Sequence, residues 1–114
     1  MNLVYKIIDA GIWDQACDAG VFTGAAIDLS DGYIHLSDTS QVETTARLYF
    51  AGQENLLLVA FDAVGFGESL KWEASRGGAL FPHVYGTLDP DSSLWAKPLP
   101  WNGVRHDFPD GWKS

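Results

Sequence analysis

The sequence predicts an α+β domain with curved, mainly antiparallel sheets and two helices, both in the N-terminal half. Three observations carry this. Strand-like segments outnumber helical ones, both helical patterns end by residue 52, and strands and helices do not alternate as a doubly wound parallel sheet requires. At 114 residues the chain is one domain, 1–114, long enough to bury one continuous core.

Leu3–Asp9 is apolar and β-branched with one charged interruption, which predicts a first strand. Asp9 is placed to cap a helix over Gly11–Ala19, with Trp13, Ala16 and Cys17 inward and Gly20 at its end. Val21–Asp28 reads as an extended loop or weak strand, and Leu29–Gly32 as a turn, because Asp-Gly accommodates positive φ. Tyr33–Ser37 follows as a strand. Alternation puts Ile34 and Leu36 on a packed face, and Tyr33, His35 and Ser37 on a polar one.

Ser40–Glu43 matches a capping box, and Val42, Ala46, Tyr49 and Phe50 form a helical stripe that Gly52 ends. The unbroken apolar run Leu56–Phe61 predicts a central strand covered on both faces. Gly65-Phe66-Gly67 lacks the third glycine of a dinucleotide-binding loop. Leu70–Ala74 alternates as a strand, Arg76-Gly77-Gly78 is a basic loop, and Leu80–Leu88 is a strand that Pro82 limits to an entrance or an edge. There His83, Tyr85 and Thr87 share a face. The C-terminal segment from Pro90 carries one short strand near Trp95–Leu99 and packs through Trp101, Phe108 and Trp112.

Fifteen acids against seven bases give a net charge of −8. That field disfavours nucleic-acid backbones and anionic membranes, but a small anionic ligand can bind where local basic groups override it. No apolar stretch reaches membrane-spanning length, no signal-peptide pattern opens the chain, and a lone cysteine fits a reducing compartment. A cytoplasmic location is the expectation. Five Trp and 13% aromatic residues point to rings lining a pocket or an interface.

The candidate site is the pair of polar faces. His35 is either a ligand-contacting or acid/base group, or a half-buried histidine satisfied by a backbone carbonyl. His83 has the same two readings. Glu73, beside Trp72, is either a base with a raised pKa or an ion-pair partner of Lys71 or Arg76. Tyr33, Ser37, Arg76 and Tyr85 complete the expected ligand-binding set. His35, His83 and His106 have no metal-ligand spacing and the chain has no Cys pair, so no metal site is expected. His106-Asp107 reads as a loop contact.

Tyr5-Lys6-Ile7, Trp13, Asp31–Ser37, Gln41-Val42, Thr45-Ala46, Lys71-Trp72-Glu73 and Phe81–Gly86 together resemble a small bacterial family, domain-of-unknown-function 952, over nearly the whole chain. That family is similar at the fold level to ADP-ribosyltransferases, including the RNA 2′-phosphotransferases, which use NAD. The resemblance implies an ADP-ribosyltransferase-like cleft with NAD as a candidate cofactor. In it His35 would orient a ribose hydroxyl or phosphate, and Glu73 would stabilise positive charge at a glycosidic carbon. The chain departs from the superfamily in lacking a first-strand His or Arg and most phosphate-binding basic residues, so RNA repair is not expected. The expected function is binding of a nucleotide-like or small anionic ligand, with a glycosyl- or group-transfer step. The alternative is a non-catalytic ligand-binding or protein-interaction module.

Overall fold

The computed structural model describes residues 2–114. Its central strand, β1 (Leu3–Asp9), pairs antiparallel along its whole length with β4 (Leu56–Asp62). β3 (Ser37–Asp38) adds to the far side of β1 and β7 (Trp95–Pro98) to the far side of β4, giving the order β3-β1-β4-β7. The two central strands are covered on both faces, as the continuous apolar run of β4 predicts for that strand. Val4 and Ile8 join Val59 and Phe61 in one core. Leu3, Tyr5 and Ile7 join Leu56, Leu58 and Ala60 in the other.

The first core is closed by α1 (Ala10–Ala19) through Trp13 and Ala16, and by a second sheet. The Asp9 carboxylate accepts from the Ile12 N–H at 3.1 Å to start α1, and Gly20 ends it at φ 79°. Cys17 is exposed, which corrects its expected place in the core: the helix seats on Trp13 and Ala16 and turns Cys17 outward. The second core is closed by α3 (Val42–Tyr49) through Val42 and Ala46, and by the C-terminal tail through Leu99 and Trp112. The Tyr5 hydroxyl donates to the Trp112 carbonyl at 2.7 Å, tying the tail to the central strand.

The second sheet consists of β2 (Ile34–His35), β6 (Leu80–Val84) and β5 (Leu70–Ala74), in the order β2-β6-β5 and antiparallel throughout. Ile34, Val84 and Leu70 face the first core. His35 lies directly opposite His83, and Glu73 opposite Phe81, on the outward face.

Four further expectations change. Helical structure also forms at α2 (Ala26–Asp31), where a loop and turn were expected, so the N-terminal half carries three α-helices. Six residues are too few to be helical by propensity, so tertiary contacts must hold α2. Tyr33–Ser37 is not one strand: it breaks at Leu36, giving β2 to one sheet and β3 to the other. The Ser40–Glu43 capping box does not form. Ser40 donates its hydroxyl to Asp38 instead, and Gln41 precedes the first helical turn without a side-chain cap. Pro82 lies on the central strand of its sheet rather than at an edge. It is tolerated because its ring nitrogen faces the side on which β2 has already ended, where the Pro82 carbonyl accepts from Leu36.

Among the described residues, no helix is long and apolar enough to cross a membrane.

Candidate functional site

The cleft opens where β2 and β3 part between the two sheets. Its volume, about 560 Å³, suits a small molecule. His35 and Ser37 reach it from the split strand, Thr45 and Tyr49 from α3, Arg76 from the loop after β5, and His83 from β6. Ile27 and Asp31 of α2 form its rim, Ile27 largely exposed. Glu73, Tyr33 and Tyr85 do not line the cleft. They stand behind its histidines.

At one end Asp28, only 2% exposed, gathers four partners. Its oxygens accept from Lys6 Nζ at 3.0 Å each, from the His35 backbone N–H at 3.0 Å, from His35 Nδ1 at 2.7 Å and from the Ala25 N–H at 2.8 Å. Burial works to raise this carboxyl, but His35, Lys6 and the two backbone N–H groups outweigh it and hold it well below the usual carboxylate range. Burial works against the charge on Lys6, and Asp28 opposes that. Lys6 also donates to the His35 carbonyl at 3.1 Å. The second nitrogen of His35, Nε2, meets Asp31 at 2.9 Å. A nitrogen donates only if it carries a hydrogen, so this full set of bonds belongs to the doubly protonated ring.

At the other end His83 is 3% exposed. Its Nδ1 lies 2.9 Å from Glu73 Oε1, and the Tyr85 hydroxyl donates to the same oxygen at 2.7 Å. These two hydrogen bonds lower the Glu73 pKa, contrary to the raised value expected for a carboxylate beside Trp72, because Glu73 is only partly buried and is supplied with donors. Its hydrogen-bonded partners are His83 and Tyr85, and among the described residues neither Lys71 nor Arg76 lies within ion-pair distance of it. Tyr33 bridges the two ends, with its ring centre 4.7 Å from that of His35 and 4.1 Å from that of His83.

Beyond His83, over Phe81, the cleft wall carries Arg76. Its guanidinium lies 4.8 Å from the Phe81 ring centre and 5.7 Å from that of Tyr49, and donates to Thr45 Oγ1 at 3.3 Å. Thr45 Oγ1 also meets Ser37 Oγ at 3.1 Å. Among the described residues, no carboxylate lies within ion-pair distance of Arg76. The other two arginines, Arg47 and Arg105, line a smaller hollow of about 380 Å³ between α3 and the 101–108 loop. There His106 donates from Nε2 to the Gln53 carbonyl at 2.9 Å. Among the described residues, no group of three or more His, Cys, Asp or Glu side chains is placed to hold a metal ion.

The structure thus brings His35, Ser37, Arg76 and His83 to one cleft, with Tyr33, Glu73 and Tyr85 supporting them from outside. Asp28 and Lys6 were missed as site residues. The only local signal was a carboxylate at the third position of the segment after Ala25, where it turns back on a helix start. Nothing in the spacing shows that Asp28 meets Lys6 and His35.

No curated protein matches the chain. The crystal structure of protein CC0527 from Caulobacter crescentus is similar at 45% identity and a TM-score of 0.89, over 92% of this chain and 93% of that one. The solution NMR structure of CC0527 is similar at 48% identity and a TM-score of 0.81, over 89% and 87%. Residues 7–96 match the family described as "Protein of unknown function (DUF952)". With most of its length inside that match, the chain belongs to the DUF952 family.

Proposed function

We propose that the cleft binds a small anionic ligand with a planar, nucleotide-like portion. The observation that carries this reading is Arg76, a guanidinium without a carboxylate partner among the described residues, held over aromatic rings at the wall of a cleft in a protein of net charge −8. Such a group binds a phosphate or carboxylate through paired N–H donors, and Thr45 keeps it in place. The rings of Phe81 and Tyr49 offer stacking surface beside it.

The residues present do not fit NAD well. The cleft offers one uncommitted guanidinium for two phosphates, since Lys6 is engaged by Asp28, and Asp31 stands at the rim. Glu73, the residue that would face a glycosidic carbon in an ADP-ribosyltransferase-like reaction, turns to His83 and Tyr85 instead. Simple anion binding is the better-supported function, and group transfer through NAD is not extended to this chain.

Calorimetric titration with inorganic phosphate, a nucleoside monophosphate and NAD tests the reading. The expected result is tighter binding of the monophosphate than of phosphate, with Arg76→Ala weakening it roughly tenfold or more, the value of one charge-assisted hydrogen bond. Equal binding by Arg76→Ala and wild type would sink the proposal.

A further inference from the structure

The geometry points to His83 as the proton acceptor of the cleft, with Glu73 and Tyr85 as the residues that position it. The identity of its ligand rests on the anion-binding reading above; the state of its imidazole does not.

The three histidines differ in what their nitrogens touch. His35 has a carboxylate at each nitrogen, Asp28 at 2.7 Å and Asp31 at 2.9 Å. His106 is turned to the Gln53 carbonyl, away from the cleft. His83 has a single partner, Glu73, at Nδ1. A carboxylate only accepts, so Nδ1 carries a hydrogen, and in the neutral ring Nε2 holds a lone pair. Nε2 has no partner among the described residues, although no fully buried side-chain nitrogen or oxygen among them lacks one. His83 lines the cleft, so that lone pair opens into it. Tyr33 covers one face of the ring at 4.1 Å, and the Tyr85 hydroxyl fixes the Glu73 oxygen behind it. An imidazole with a carboxylate behind one nitrogen and a free lone pair on the other is arranged as a general base.

The strand also supplies a ruler. Phe81 and His83 are two residues apart on the same face of β6, roughly 7 Å along the strand. Arg76 lies over Phe81. The matching ligand is an anion that carries a hydroxyl about that far from its charged group. The step is one proton transfer: the ligand O–H bond breaks, the Nε2–H bond forms, and the electron pair stays on the ligand oxygen. The Glu73 carboxylate faces the imidazolium that results.

The test needs no ligand. Long-range proton–nitrogen correlation on the ¹⁵N-labelled full chain reads the tautomer of each histidine, and diethyl pyrocarbonate followed by peptide mass spectrometry reads which imidazole reacts. His83 is expected as the Nδ1–H tautomer and to be acylated at least roughly tenfold faster than His35, whose nitrogens are both engaged in charge-assisted bonds. Glu73→Gln slows His83 acylation, and Tyr85→Phe slows it less; Glu73 is partly buried and Tyr85 exposed, and the dispersion of the proton–nitrogen spectrum of each variant checks that the fold is kept. An Nε2–H tautomer, or acylation of His83 no faster than of His35, overturns the assignment. Unchanged acylation in Glu73→Gln removes Glu73 as a positioning residue. Phosphate binding to wild type and Arg76→Ala, measured in parallel, separates the two ideas: loss of anion binding leaves the tautomer and acylation results to decide His83, and the reverse.

Discussion

His35 and His83 face each other across neighbouring strands with ring centres 5.6 Å apart, share the same tyrosine, and each lean on a carboxylate. Their sequence settings are also alike: an apolar strand, an alternating polar face and an aromatic residue two positions away. Yet their surroundings differ. His35 is closed off by Asp28 below and Asp31 beside it, inside an ion network that includes a buried lysine. His83, the more buried of the two, lines the cleft and has no partner at Nε2 among the described residues. Two residues with equivalent local signals therefore take different chemical parts, and the difference comes from α2, which brings its carboxylates to His35 alone.

Removing Asp28 should break this contrast most forcefully. Asp28→Ala leaves the buried Lys6 ammonium without its counter-ion, and the expected loss is about 3–5 kcal/mol in denaturant unfolding. A loss under about 1 kcal/mol would show that the network does not hold α2. The pH dependence has a definite sign. A carboxyl held below its ordinary value stabilises the fold fully above the unfolded value, near about 4, and that stabilisation is lost as the pH falls further. The stability gap between wild type and Asp28→Asn should therefore narrow on acidification below that point. A widening gap contradicts it.

Tyr33→Ala removes the ring that both histidines share. It should cost about 1–2 kcal/mol, the value of two aromatic contacts, and should shift the ring resonances of His35 and His83 together. A shift confined to one of them would mean that they are not coupled through Tyr33.

Asp31→Ala has the smallest expected effect on stability, within about 1 kcal/mol, because Asp31 is exposed. It sharpens the comparison most. Freed of Asp31, His35 Nε2 should become reactive toward diethyl pyrocarbonate and resemble His83. If His35 stays inert, Asp31 is not what closes it.

The outward face of Tyr33, His35, His83 and Tyr85 was legible from alternation, because in a strand that places polar and aromatic residues on one face the packed face must be the other. Ile34 and Val84 do lie in the core. The central place of Leu56–Asp62 was legible for the same kind of reason: an unbroken apolar run needs cover on both faces. What could not be read was α2. Its exposed Ile27 and Leu29 imitate neither an amphipathic helix nor a strand, and its helical form depends on Asp28 finding Lys6 and His35. The break at Leu36 was equally hidden, since both halves keep a strand-like alternation and only their partners differ.

The amino-acid sequence by itself determined where strand-forming segments lie and that two histidine-bearing faces would look outward, because side-chain alternation is a local property of the backbone. The tertiary structure alone decided that these faces meet in one cleft, that Asp28 and Asp31 engage both nitrogens of His35 while Glu73 engages one nitrogen of His83, and that Arg76 lines the same cleft with no carboxylate within ion-pair distance among the described residues. Those outcomes depend on contacts between residues as far as 31 positions apart in the chain, whose distances no local pattern encodes.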